Sequence, residues 1–264
     1  MNNKLILGAL GLVFIFLAAG IWLYNWVLGD TQTASAPISA PTLVVESSSS
    51  NATSIQTQPL QQPEPTEADQ SLTESKPLQN NTENETSPVV FEIIQADSQA
   101  RFIIYEVLRG APTDVIGISD QIAGQIVLDF SDLSKTQVGE ILVNARTLAT
   151  DEERRNQAIR NRILFTDQYE YIRFQPTEIT GLSGKGVPGQ PFSFQIAGEL
   201  TIRDVTQPVV FDVTMTGETL GRINGVANTV IKRSDFNLIV PDVPFVANVG
   251  EDVVIEIDLV LEAQ

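Results

Sequence analysis

Phe192-Ser193-Phe194-Gln195-Ile196-Ala197-Gly198-Glu199-Leu200-Thr201-Ile202-Arg203 alternates along its whole length. Phe192, Phe194, Ile196, Gly198, Leu200 and Ile202 share one face; Ser193, Gln195, Glu199, Thr201 and Arg203 share the other. Side chains of a strand point to opposite faces in turn, so this segment is a strand with one dry and one wet face. Phe211, Val213 and Met215 alternate in the same way with Asp212, Thr214 and Thr216. Val253, Ile255, Ile257, Leu259 and Leu261 alternate with Glu256, Asp258 and Glu262. Such patterning belongs to antiparallel sheets that face a core on one side and water on the other.

Val89–Ile94, Arg101–Leu108, Gln121–Phe130, Val138–Arg146, Ile172–Thr180 and Ile223–Lys232 fit the same class. The expected fold is all-β. Long strands with a single apolar face point to an antiparallel eight-stranded barrel, because closure removes exposed edges. One short helix interrupts the strands. Thr150-Asp151-Glu152-Glu153 has the form of a capping box, with Thr150 accepting from the Glu153 amide and Glu153 reaching back. Arg160 and Arg162 suit the helix C-terminus, and Ile159 and Ile163 form a narrow apolar stripe.

The barrel occupies 88–264, one of three expected parts. Residues 1–29 hold the apolar run Leu5–Leu28, which as a helix would span about 36 Å, enough to cross a bilayer as a transmembrane signal-anchor. Trp22, Tyr24 and Trp26 suit an interface. The run exceeds a cleaved signal core, and the small-residue site Ala34-Ser35-Ala36 is followed by Pro37, so an uncleaved anchor is expected. Lys4 on one flank and Asp30 on the other place the C-terminal domain outside the cytoplasm. Residues 30–87 read as a disordered acidic linker rich in Ser, Thr, Gln and Pro, with a reach of about 40 Å.

Composition excludes several functions. With no cysteine and no histidine there is neither a disulfide nor a thiolate site, and the commonest general base and metal ligand are missing. The formal net charge of −17 repels phosphate backbones, so nucleic acid is not an expected partner. Neighbouring acids at Asp151-Glu152-Glu153 and Glu251-Asp252 are expected to be solvated, not an acid–base pair. Gly181-Leu182-Ser183-Gly184-Lys185-Gly186 lacks the spacing of a phosphate loop and reads as a hairpin connection. No catalytic residue, metal or cofactor is expected, and a protein partner stays unknown. Arg101, Arg146, Arg203 and Arg233 are candidates for the mouth, where a guanidinium would pair with an anionic head group, but each is expected to be an exposed strand-end charge instead. Arg154 and Arg155 could bind an anion but are expected on a solvated helix face. From the residues alone, the interior is either a packed core or a ligand site.

Several segments, taken in order, resemble the YceI-like family. These are Asp97-Ser98 with Phe102 and Ile104, Ala123-Gly124-Gln125-Ile126 leading to Asp129-Phe130, and Ala145-Arg146-Thr147-Leu148 with Thr150-Asp151. Arg155-Asn156, Tyr169 through Phe174, Gly198-Glu199-Leu200-Thr201-Ile202 with Val205-Thr206 and Pro208, and Ser234-Asp235-Phe236-Asn237 complete the set. The resemblance implies a lipocalin-like barrel whose lumen holds a polyisoprenoid or fatty lipid. It departs at Asp97-Ser98 and at Ile202-Arg203-Asp204, where members often carry histidine. The dry faces then supply the expected ligand-binding lumen: Phe102, Ile104, Phe174, Phe192, Phe194, Ile196, Phe211, Val213, Met215, Ile255, Ile257 and Leu259. The expected function is a membrane-tethered extracytoplasmic lipid-binding protein, not an enzyme. The alternative is an interaction or structural module with a solid barrel core.

Overall fold

The computed structural model describes residues 32–43, 88–242 and 246–264. The apolar run Leu5–Leu28 and most of the expected linker lie outside the described residues. Among those described, no helix is long and apolar enough to cross a membrane.

The described strands are β1 (Val89–Ile93), β2 (Gln99–Leu108), β3 (Ala111–Ser119), β4 (Ile122–Ala123), β5 (Gln125–Leu128), β6 (Gln137–Val138) and β7 (Ile141–Asn144). They continue as β8 (Tyr171–Thr180), β9 (Pro191–Ile202), β10 (Val205–Thr219), β11 (Arg222–Lys232), β12 (Val246–Ala247) and β13 (Asp252–Ala263). All join one antiparallel sheet with the order β4-β7-β8-β9-β10-β11-β13-β1-β5-β6, and the β2–β3 hairpin also pairs with β13. The sheet curls around its apolar face as a half-barrel. Chain neighbours β4 and β5, with only Gly124 between them, sit at opposite limbs of this order: β4 pairs with β7 and β5 with β1.

The expected all-β class holds, with more strands than the eight anticipated because two expected runs are broken. Gln121–Phe130 breaks at Gly124, and Val138–Arg146 breaks into β6 and β7 before a 3-10 turn at Ala145–Thr147. Strand β3 gave no alternation signal because its polarity is inverted. Gly117 and Ser119 point inward while Ile116 and Ile118 point out. The Phe102 ring fills the space a Cβ at Gly117 would need, coming within 2.1 Å of that point. Gly198 plays the same part for Phe174. A Cβ there would lie 2.5 Å from the Gln175 carbonyl oxygen and 2.6 Å from the ring. Because one clash is with backbone, Gly198→Ala is expected to lower stability by about 1–3 kcal/mol in denaturant unfolding.

The helix, α1, covers Glu153–Ala158 and continues as a π-turn over Ile159–Ile163. The expected capping box is not formed. Glu152 is the N-cap, its carboxylate accepting from the Arg155 amide at 2.9 Å. Thr150 instead donates through its amide and hydroxyl to the buried Asn156 Oδ1, at 2.7 and 2.8 Å.

Residues 32–43 also differ from the expectation of an unpacked linker. They form a strap along the outside of β4 and β7, with Ile38 buried against Ala123 and Leu142. The Ser35 amide and hydroxyl donate to the two Glu170 oxygens at 2.6 and 2.9 Å. Glu170 also accepts from Asn144, which is fully buried, at 3.0 Å, and from Arg146 at 2.9 Å. Arg146 in turn donates to the Thr33 carbonyl. Burial acts to raise the Glu170 pKa, but the Ser35, Asn144 and Arg146 donors outweigh it and hold the carboxyl below its usual value. A depressed carboxylate contributes stability above its unfolded pKa, and that stability is lost as pH falls through the folded value. The protection of the Ser35 amide, its exchange relative to an unstructured peptide at the same pH, is therefore expected to fall on acidification below the ordinary glutamate range. The effect should vanish in Glu170→Gln.

Candidate functional site

The chain directions define two ends of the half-barrel. At the near end lie the β9–β10 turn Arg203-Asp204, the start of β8, the end of β11 and the start of β13. At the far end lie the β10–β11 turn at Leu220-Gly221 and the loop 181–190 between β8 and β9. That loop folds across the far end. Leu133 donates to the Gly184 carbonyl at 2.8 Å, Gly186 to the Phe130 carbonyl at 2.9 Å, and Gly189 to the Gly217 carbonyl at 2.7 Å. Leu182, Phe130 and Leu133 pack into the core beneath it. Its expected role as a hairpin connection fits.

The far end of the interior is filled by buried side chains, among them Phe194, Ile196, Val213, Met215 and Ile223, and the near end is open. A cavity of about 200 Å³ is lined by Leu200 and Ile202 of β9, Ile231 of β11, and Val253, Ile255 and Ile257 of β13. Phe102 and Ile104 of β2, Ile172 and Phe174 of β8 and Phe211 of β10 add to the strand wall, as do Val115 of β3 and Ile141 and Val143 of β7. The Phe174 and Phe211 rings meet edge to face at 4.9 Å, and below Phe211 the next inward residues of β10, Val213 and Met215, no longer line the space. Leu148, Ile159, Ile163 and Leu164 cover one side, and Leu238, Val240 and Val249 another. For scale, an engineered apolar cavity of about 150 Å³ stays dry and takes up benzene. The near-end space is thus large enough for part of an aliphatic chain.

Six of the twelve expected lumen residues line this cavity: Phe102, Ile104, Phe174, Phe211, Ile255 and Ile257. The other six, Phe192, Phe194, Ile196, Val213, Met215 and Leu259, do not. They fill the far half, where Val213 and Met215 are only 2% and 1% exposed and the Phe192 and Phe194 rings stack at 6.0 Å. Strand alternation identifies the inward face but not how far along it packing is complete. The sequence reading missed the helix side of the wall, although its stripe of Ile159 and Ile163 does face the cavity. It also missed Leu238, Val240 and Val249, which sit in a segment without a period.

Polar groups reach the cavity at its mouth. Arg155, Arg233 and Glu106 line it there, while Arg101, on the polar face of β2, borders it farther from the mouth. Glu106 is a carboxylate only 6% exposed, paired with Arg155 Nη2 at 3.3 Å. Arg155, expected on a solvated helix face, also holds Asp151 at 2.5 Å. Arg233 donates to the Gly250 and Leu238 carbonyls at 3.0 and 3.3 Å, which ties Leu238 and Gly250 together beside the opening. Arg101 pairs with Glu256 and Asp258, each at 2.6 Å, and these carboxylates hold its pKa above the ordinary guanidinium value. The other two candidate arginines stand outside. Arg146 binds the strap, and Arg203 lies over the Phe165 ring at 4.9 Å while donating to the Ile163 and Asn237 carbonyls. Each acid of the two weighed clusters has a local partner. Asp151 meets Arg155, Glu152 caps α1, Glu153 meets Arg160 at 2.7 Å, Glu251 meets Arg233 at 3.4 Å, and Asp252 meets Lys232 at 3.6 Å.

Comparison with known proteins agrees with this architecture. Residues 91–261 match the YceI-like domain. A polyisoprenoid binding domain from Saccharophagus degradans, implicated in plant cell wall breakdown, aligns over 67% of this chain and 99% of its own, with a TM-score of 0.53 and 12% identity. Burkholderia cenocepacia BcnA aligns over 64% of this chain and 98% of its own, with a TM-score of 0.50 and 19% identity. At these identities the likeness is one of fold. No curated protein matches the chain.

Proposed function

The chain belongs to the YceI-like domain family, and from that premise we propose that its near-end cavity binds the apolar chain of an isoprenoid or fatty lipid. One observation carries the reading: the barrel is packed solid beyond Phe174 and Phe211, yet keeps an aliphatic-walled cavity of about 200 Å³ at the other end. A core built only for stability gains nothing from such a void, since an empty cavity forfeits dispersion contacts on its whole lining. The polyisoprenoid-binding relative supports the choice of ligand class. The ring of pairings through β4, Gly124 and β5 is read as a closed barrel of eight positions, within which the lumen lies.

Binding without chemistry is the activity proposed. The mouth acids are engaged in ion pairs and have no histidine or cysteine to work with. With Leu5–Leu28 as an uncleaved anchor and Lys4 on the cytoplasmic side, the domain stands outside the cytoplasm and holds its lipid near the membrane. Purifying the full chain in a mild detergent, extracting it with organic solvent and analysing the extract by mass spectrometry tests the reading. A stoichiometric isoprenoid or long-chain species is expected. An extract holding only detergent and bulk phospholipid would leave the interaction module in its place.

A further inference from the structure

We propose that residues 32–43 strap the barrel to the membrane with its cavity mouth facing the bilayer, so that Phe165 and Ile239 at the rim sit in the lipid surface. The proposal rests on Leu5–Leu28 being the anchor, as read above, and adds an orientation that the functional reading does not contain. The strap begins at the near end. The Gln32 amide donates to Asp167 Oδ1 at 2.8 Å, and Arg146 bonds both the Thr33 carbonyl and the Thr166 carbonyl, at 3.1 and 3.0 Å. From there the strap runs toward the far end. Ile38 packs on Ala123 and Leu142, and the Leu43 amide donates to Gln125 at 2.9 Å.

This placement changes the tether. Were the chain free up to Pro88, the domain would range about 40 Å from the anchor and tumble in any orientation. With Gln32 fixed beside Asp167, only four residue steps separate Leu28 from the barrel. A fully extended chain covers at most about 3.6 Å per residue, so the near end stays within about 14 Å of the anchor's end. Asp167 follows Phe165 by two residues, and Arg203 ties this loop to the segment bearing Ile239 through the Ile163 and Asn237 carbonyls. Phe165 is 42% exposed and Ile239 is 74% exposed. Exposed apolar side chains occur at the far end too, Leu220 among them at 59%, so exposure does not select an end. The strap does. Strand β11 has 11 residues and separates Leu220 from the mouth by about 33 Å. A lipid chain would then pass from bilayer to lumen without crossing water.

The chain has no cysteine, so Ile239→Cys and Leu220→Cys each accept a single bimane label in otherwise native full-length protein. Reconstituted in phosphatidylcholine vesicles doped with nitroxide lipid, the Ile239→Cys label is expected to be quenched several-fold more than the Leu220→Cys label. Adding Ile38→Asp, which ejects the strap from its apolar seat, should bring the two to similar low quenching while circular dichroism still reports the folded sheet. Equal quenching without that change, greater quenching at Leu220→Cys, or failure of the full chain to float with vesicles would each overturn the proposal. Should Ile38→Asp unfold the domain, the two labels in the unaltered background still decide. Solvent extraction of the detergent-purified chain before reconstitution keeps the two readings apart, since bilayer lipid is then absent. Asymmetric quenching with an empty lumen defeats only the binding reading, and bound lipid with equal quenching defeats only the orientation.

Discussion

Ile255→Trp is expected to abolish uptake of an apolar chain while leaving the unfolding midpoint nearly unchanged; Val213→Trp should do the reverse. Both residues point inward from neighbouring parts of the same barrel. Ile255 lines the near-end cavity and is partly open to it, so an indole there occupies space that the lipid would use. Val213 is 2% exposed among the Phe194 and Met215 side chains, where no such space exists. Overpacking a filled core costs about 1–3 kcal/mol, and for a domain of this size each kcal/mol lowers Tm by about 2–4 °C. Thermal unfolding and lipid uptake measured on both variants give opposite patterns if the interior is half filled. A barrel packed throughout would show the same destabilisation in both.

The largest effect on stability is expected from Arg155→Met. Glu106 is buried at the mouth, and Arg155 is the guanidinium paired with it. Removing one partner of a buried pair leaves the other charge uncompensated, at a cost of about 3–5 kcal/mol. The exposed Asp151 contact contributes little, since exposed pairs are worth about 0–1 kcal/mol. Replacing both partners, Arg155→Met with Glu106→Gln, should recover most of the loss in urea unfolding, because no unpaired charge is left behind. A single variant as stable as the parent would mean that water, and not Arg155, satisfies Glu106.

Strand alternation made the all-β class and most strands legible, because period two is imposed by backbone geometry whatever the tertiary context. Strand β3 escaped for the opposite reason. Its inward positions at Gly117 and Ser119 are small because Phe102 lies over the glycine, so the apolar residues point out. The capping box failed through competition. Asn156, fully enclosed, takes the Thr150 hydroxyl that the motif would have used. The strap was hidden because Ile38 is one isolated apolar residue in a polar stretch, and its seat is made by Ala123 and Leu142, far away in sequence.

The site was half legible. Inward-facing residues could be read off each strand, and all twelve named ones are inside the barrel. Which of them border empty space depends on what fills the other half, and the fillers come from elsewhere: Phe91 and Phe130, in edge-to-face contact at 6.0 Å, and the loop 181–190. Arg155 could not be told from a solvated helix arginine, because its partner Glu106 lies in a strand 49 residues earlier. Family resemblance supplied the ligand class, and packing located the space for it.

Solution NMR of the domain loaded with a ¹³C-labelled isoprenoid alcohol bears on the binding site itself. Cross-relaxation from the ligand methyls is expected to the methyl groups of Ile104, Ile255 and Ile257, and not to those of Val213 or Met215. Contacts confined to the outer surface, or none to the three isoleucines at saturating ligand, would contradict a lumen site at the near end.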